Sequence, residues 1–197
     1  MDERQIEQQR IGLSIADFSL KNATVTHLEG YFYRTINYRY SRQPLSTRGA
    51  EITGGRYNFR PSQGESFSCL YCADRDVTAS TEKFYNFKTN NAPLPPHTIV
   101  SIWVKLERVL NLSSSEYCQA AGVDWQELNQ PWEYNQDILK IAAYPQRVGQ
   151  LAYEQGDIEG ILFTSTKLVN TLNLVIFPER VKSQSVVELY DPQNELG

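Results

Sequence analysis

Between Tyr31 and Glu82 the chain places Arg34 in YFYR, Arg56 in GGRYN and Glu82 at the end of LYCADRDVTASTE. A guanidinium stays charged at neutral pH and offers a planar fork of donors that matches phosphate oxygens. A carboxylate held in place can stabilise positive charge as it grows at a sugar carbon. Two such cations and one such carboxylate are the parts a pocket needs to hold a dinucleotide and act on its ribose. Gly54 and Gly55 allow a tight backbone approach just before Arg56 and Tyr57.

These side chains need rigid elements beneath them. YFYRTI reads as a strand whose alternation puts Phe32 and Arg34 on one face. NYRYSRQPLSTRGA, punctuated by Pro44 and Gly49, reads as a loop, and FSCLYCA as the next strand. Asp76 is expected to cap the helix VTASTEKFYNF, with Glu82 beside Thr78 and Tyr85 on its surface. After the prolines of 93–96, with His97 in the loop, TIVSIWVKLERVL reads as a strand with Ile99, Ile102, Val104 and Leu106 in the core. Ser113 or Ser114 is expected to cap a helix near Glu116, and QRVGQLAYEQG forms a further short helix. GILFTS, LNLVIF and an edge strand VVELY complete the pattern.

The fold class expected is α/β of the α+β type: a compact, mixed, mainly antiparallel sheet with flanking helices, because regular crossover helices are missing. The domain reading is an N-terminal extension over 1–27, a catalytic domain over 28–184 and a C-terminal strand and tail over 185–197.

A chain of 197 residues with 41% hydrophobic and 21% charged residues can bury a core without a staple. Its net charge of −4, with basic residues spread along the chain, argues against nucleic acid as a direct partner. Cys69 and Cys72 have a C-x-x-C spacing, but strand alternation sends them to opposite faces and no histidine cluster completes a metal site. MDERQIEQQR lacks the apolar core of a signal peptide, and no run has the roughly 20 apolar residues of a membrane span. The expectation is a cytoplasmic protein without metal or membrane attachment.

The segments resemble the RES-domain family, named for an arginine, a glutamate and a serine. Arg34 of the YR pair matches the first, Glu82 the second and Ser165 of GILFTST the third. GGRYN at 54–58, YCA at 71–73, then YPQRVG, GILFTST and NLVIFPE follow the family's order. Two departures are Tyr57, where tryptophan is more usual, and the threonine before Ser165, where proline is common.

The resemblance implies an ADP-ribosyltransferase-like arrangement and a toxin of a toxin–antitoxin pair. Its substrate would be NAD, broken at the nicotinamide–ribose bond, with ADP-ribose passing to water or phosphate. Alternatives are mono-ADP-ribosyl transfer to a cellular protein and a non-catalytic NAD- or protein-binding module. Expected partners are NAD, a cognate antitoxin, a protein acceptor and a second copy of the chain. Arg34 and Arg56 would bind the pyrophosphate or ribose, Tyr57 would add an aromatic wall, and Tyr71 would stack on the ligand and orient Glu82. Glu82 would act at the chemical step. Ser165 would orient rather than attack, since no G-x-S-x-G elbow surrounds it. Asn58 and Asn173 would support the pocket.

Overall fold

The computed structural model describes residues 2–16, 18–61 and 66–194, without the side chain of Leu13. Its elements are α1 (Glu3–Ser14), β1 (Val25–Asn37), α2 (Arg48–Thr53), β2 (Leu70–Ala73), α3 (Asp76–Thr89), β3 (His97–Leu112), α4 (Ser115–Ala120) and α5 (Trp125–Leu128). After a π-helical turn at Asn135–Leu139 come α6 (Tyr144–Glu154), β4 (Gly160–Thr164), β5 (Leu172–Ile176) and β6 (Val186–Leu189). The mixed α/β class read from the sequence is the one observed. α2 begins at the end of the stretch read as loop, and His97 opens β3 rather than preceding it.

The long strand β3 organises the sheet. One edge pairs antiparallel with β1, from Val25↔Leu110 to Asn37↔His97. The other takes β6 antiparallel at Ile102–Lys105 and β4 parallel at Val109–Leu112. β4 and β5 form an antiparallel pair, β5 pairs with β2, and the single bridge Tyr33↔Ala73 returns β2 to β1. Five strands thus close on themselves, with β6 outside the ring. The parallel β3–β4 pair needs a long crossover, and α4, α5, the π turn and α6 supply it.

Alternation divides the core in two. Phe32, Leu70, Cys72, Ile102, Leu162 and Leu174 gather on one face of the strands. Cys69, Leu110, Ile161, Phe163 and Val175 gather on the other, against Val148 and Ala152 of α6. The same parity corrects the assignment of Ile99, which is 40% exposed while Val100 is 2% exposed. Ile99 is out of phase with Ile102, Val104 and Leu106, so the strand turns it away from their face. Ser114 caps α4 by accepting from Tyr117 N, and Asp124 caps α5.

The N-terminal segment is built into this body. Ile11 on α1 is buried in the second core. Arg10 pairs with Glu7 and with Glu127 across the crossover, while Tyr134 donates to Glu3 and Asn135 to Glu7. Val25–His27 already belong to β1, inside the stretch read as an extension.

Cys69 and Cys72 lie in different cores, as alternation requires, and all three cysteines are free and buried. Burial pushes the Cys72 thiol up to about 12, and burial with the nearby Asp124 charge does the same for Cys118. Cys69 is also raised well above its ordinary value. Because the thiolate is the reactive form, all three should resist a maleimide at pH 8 in the native protein and react together after denaturation. Mass spectrometry of the labelled chain checks this, and rapid native labelling of Cys69 or Cys72 would contradict it.

Candidate functional site

Glu82 sits on α3, which follows β2 directly and is anchored at its start. Asp74 N donates to Leu172 O at 2.9 Å, tying the turn before α3 to β5. Thr35 Oγ1 on β1 and Ser80 Oγ on α3 share a hydrogen bond of 3.2 Å. Asp76 is the first helical residue rather than the cap, because extended Arg75 occupies the cap position. The Asp76 carboxylate accepts from the adjacent Val77 N, at 2.6 Å.

Two side chains from the β4–β5 region converge on one oxygen of Glu82. Ser165 Oγ donates to Glu82 Oε1 at 2.6 Å, and Asn173 Nδ2 donates to the same atom at 2.7 Å. Asn173 is buried on β5 between Ala73 of β2 and Phe163 of β4, while Glu82 is half-buried. Ser165 lies just past β4. Its N–H donates to Thr171 O, and its Oγ accepts from Lys167 N at 3.0 Å and Leu168 N at 2.9 Å. With those acceptor positions used, the hydroxyl proton is aimed at Glu82. That arrangement lets Ser165 orient the Glu82 carboxylate.

Arg56 reaches the same region from the Gly-Gly turn. Its guanidinium donates to Leu128 O at 2.9 Å, Gln130 O at 3.4 Å and Thr166 Oγ1 at 3.2 Å, next to Ser165. Arg34 shares the apolar face of Phe32 and Ile36, and it donates to Pro44 O at 3.0 Å and Ser46 O at 2.9 Å. Burial lowers the Arg34 pKa from its ordinary value. Lys83, the neighbour of Glu82, is lowered by desolvation and then by the charge of Arg34. Among the described residues neither arginine pairs with a carboxylate. Both arginines are thus cations without anionic partners among the described residues, Arg56 beside Thr166 and Arg34 beside the Pro44 and Ser46 carbonyls.

Tyr57, Tyr71 and Asn58 form the scaffold behind this region. Gly55 N donates to Asn58 O at 2.8 Å, closing a tight turn that sends Arg56 outward and Tyr57 inward. Tyr57 is 0% exposed, edge-on to Phe163 at 4.6 Å, so the expected ligand wall is a core residue. Tyr71 does not orient Glu82. Its hydroxyl donates to Asn58 Oδ1 at 2.8 Å and accepts from Tyr57 N at 2.9 Å, so it serves the turn. Asn58 Nδ2 in turn donates to Ala50 O on α2.

Both glycines are required by this packing. Gly54 has φ +72°, in the left-handed region, and a Cβ on Gly55 would lie 2.7 Å from Tyr71 Oη. Behind the turn, buried Gln146 of α6 donates to Gly55 O, Asn58 O and Gln136 Oε1, and accepts from Ala143 N. Gly149 lets α6 approach the Tyr57 carbonyl so closely that no Cβ fits. The YPQRVG segment is thus a brace for GGRYN. Asn173 and Gln146 are the residues whose importance the sequence reading understated, although each is a polar residue inside an apolar pattern.

Among the described residues no group of three His, Cys, Asp or Glu side chains gathers as a metal site, and no helix is long and apolar enough to cross a membrane. A cavity of about 330 Å³ lies elsewhere, between α1 and α6, lined by Ile11, Ile15, Ala142, Arg147, Leu151 and Glu154 among others.

The family model for the RES domain matches residues 31–195. The chain belongs to the RES domain family. Among solved structures, the toxin chain of the M. tuberculosis MbcT–MbcA toxin–antitoxin complex has the same fold. The TM-score is 0.65 at 20% sequence identity, covering 96% of this chain and 91% of that one. A comparison with curated protein sequences finds no match. Of the three residues that the sequence resemblance takes as landmarks, Arg34, Glu82 and Ser165, the last two are in direct contact.

Removing the Tyr71 hydroxyl tests the scaffold. Tyr71→Phe leaves the buried Tyr57 N–H without its acceptor and Asn58 without a donor, at a cost of about 1–3 kcal/mol. Denaturant unfolding should show that loss, whereas unchanged stability would mean the hydroxyl does not hold the turn.

Proposed function

We propose that this RES protein is a toxin that consumes NAD by breaking its nicotinamide–ribose bond and passing ADP-ribose to water or phosphate. The observation that carries the reading is a half-buried carboxylate, Glu82, fixed on one oxygen by Ser165 and Asn173, with Arg56, unpaired by any carboxylate among the described residues, bonded to Thr166 next to Ser165. Family membership and the fold shared with a toxin chain support it.

The chemistry suits these residues. When the bond between ribose C1′ and the nicotinamide nitrogen breaks, the electron pair leaves on nicotinamide, which departs neutral and needs no general acid. Positive charge passes to the ribose, where a positioned carboxylate stabilises it. An acceptor oxygen then bonds to C1′, and when that acceptor is water its proton is released. Arg34 and Arg56 would hold the pyrophosphate. Arg34 would exchange the Pro44 and Ser46 carbonyls, wholly or in part, for phosphate oxygens. Such an enzyme endangers the cell that makes it, so a separate antitoxin covering the site is part of the proposal.

Glu82→Gln keeps the acceptor atom for Ser165 and Asn173 while removing the charge. It should stay folded and lower nicotinamide release from NAD by about 10²-fold or more. Near-normal release by the folded variant would remove Glu82 from the chemistry.

A further inference from the structure

Both hydrogen bonds to Glu82 end on Oε1, and the two donors are held differently from one another. Ser165 stands on a turn that supplies two backbone N–H groups to its oxygen. Asn173 stands on a strand paired on both sides, with Leu172–Ile176 hydrogen-bonded between β2 and β4. The residue is 6% exposed. The amide orientation is dictated by the partner: turning Oδ1 toward a carboxylate would set acceptor against acceptor. Among the described residues no donor reaches Oε2.

We infer that Asn173 is a positioning residue that locks Glu82 through Oε1 and so makes Oε2 the oxygen presented to the reacting ribose. The inference rests on the NAD-cleaving reading and adds a fourth residue to the family's arginine, glutamate and serine. A flexible glutamate on a helix samples several rotamers. A single hydrogen bond from Ser165 would let the carboxylate swing about Oε1. A second donor from a different strand removes that freedom, and it leaves Oε2 facing the direction from which neither donor comes. Asn173 touches no substrate in this arrangement and acts only through Glu82.

The test measures kcat and KM for nicotinamide release together with melting temperature. Asn173→Ala should lower kcat by about 10- to 100-fold, the scale on which a misplaced catalytic group is felt, with KM within about twofold. Asn173→Asp, which sets a second carboxylate against Glu82, should be at least as impaired. In a Glu82→Gln background, Asn173→Ala should cause no further loss, because nothing remains to be positioned. A residue that merely supports the fold would lower the activity of both backgrounds alike, and that result would overturn the inference, as would full activity of Asn173→Ala.

The contact itself is read without turnover. Asn173→Ala should lower the melting temperature of the wild type and leave that of Glu82→Ala unchanged. Equal shifts in both backgrounds would show that Asn173 does not hold Glu82. If the wild type releases no nicotinamide, the NAD-cleaving reading fails, and the melting cycle still decides whether Asn173 fixes Oε1.

Discussion

One carboxylate oxygen joins three parts of the chain. Glu82 Oε1 receives Ser165 from the end of β4 and Asn173 from β5, while its own helix follows β2. Hydrogen bonds to a charged group are each worth about 1.5–3 kcal/mol net, so this is a strong local constraint. It holds only while the strands keep their register. A one-residue slip of β5 would turn Asn173 to the other face and Leu172 or Leu174 toward Glu82. The continuous pairing of β2, β5 and β4 is what prevents the slip.

A second constraint acts behind the first. The GGRYN turn is bound by Tyr71, Asn58 and Gln146, and its glycines permit the approach. The consequence is that Tyr57 is driven into the core while Arg56 emerges toward Thr166 and the 128–130 carbonyls. α1 is tied to the same crossover through Arg10–Glu127 and Tyr134–Glu3. The N-terminal helix, the crossover and the turn therefore form one packed support for Arg56.

Much of this was legible in the chain. Period-two patterning marked the strands around Phe32, Ile102, Ile161 and Leu174, and GGR, Glu82 and Ser165 marked the landmarks. Parity errors arose where local apolarity competed with alternation, as at Ile99. The parallel crossover was missed because its helices are short and separated by irregular turns, which leaves no long 3.6-residue period to read. Tyr57 and Tyr71 were expected near ligand because an aromatic beside a glycine turn looks the same in sequence whether it faces a cleft or a core. Burial is a tertiary property, set here for Tyr57 by its packing on Phe163 and by the close approach of α6 at Gly149. Asn173 had a signal, an amide inside an apolar strand, but its partner lies 91 residues away.

The most direct measurement is a crystal structure of the inactive Glu82→Gln chain soaked with NAD. The account predicts the pyrophosphate within hydrogen-bonding distance of Arg34 and Arg56, and the nicotinamide ribose on the side chain of residue 82 opposite Ser165 and Asn173. NAD seated in the cavity between α1 and α6, or bound with its pyrophosphate clear of both arginines, would contradict it.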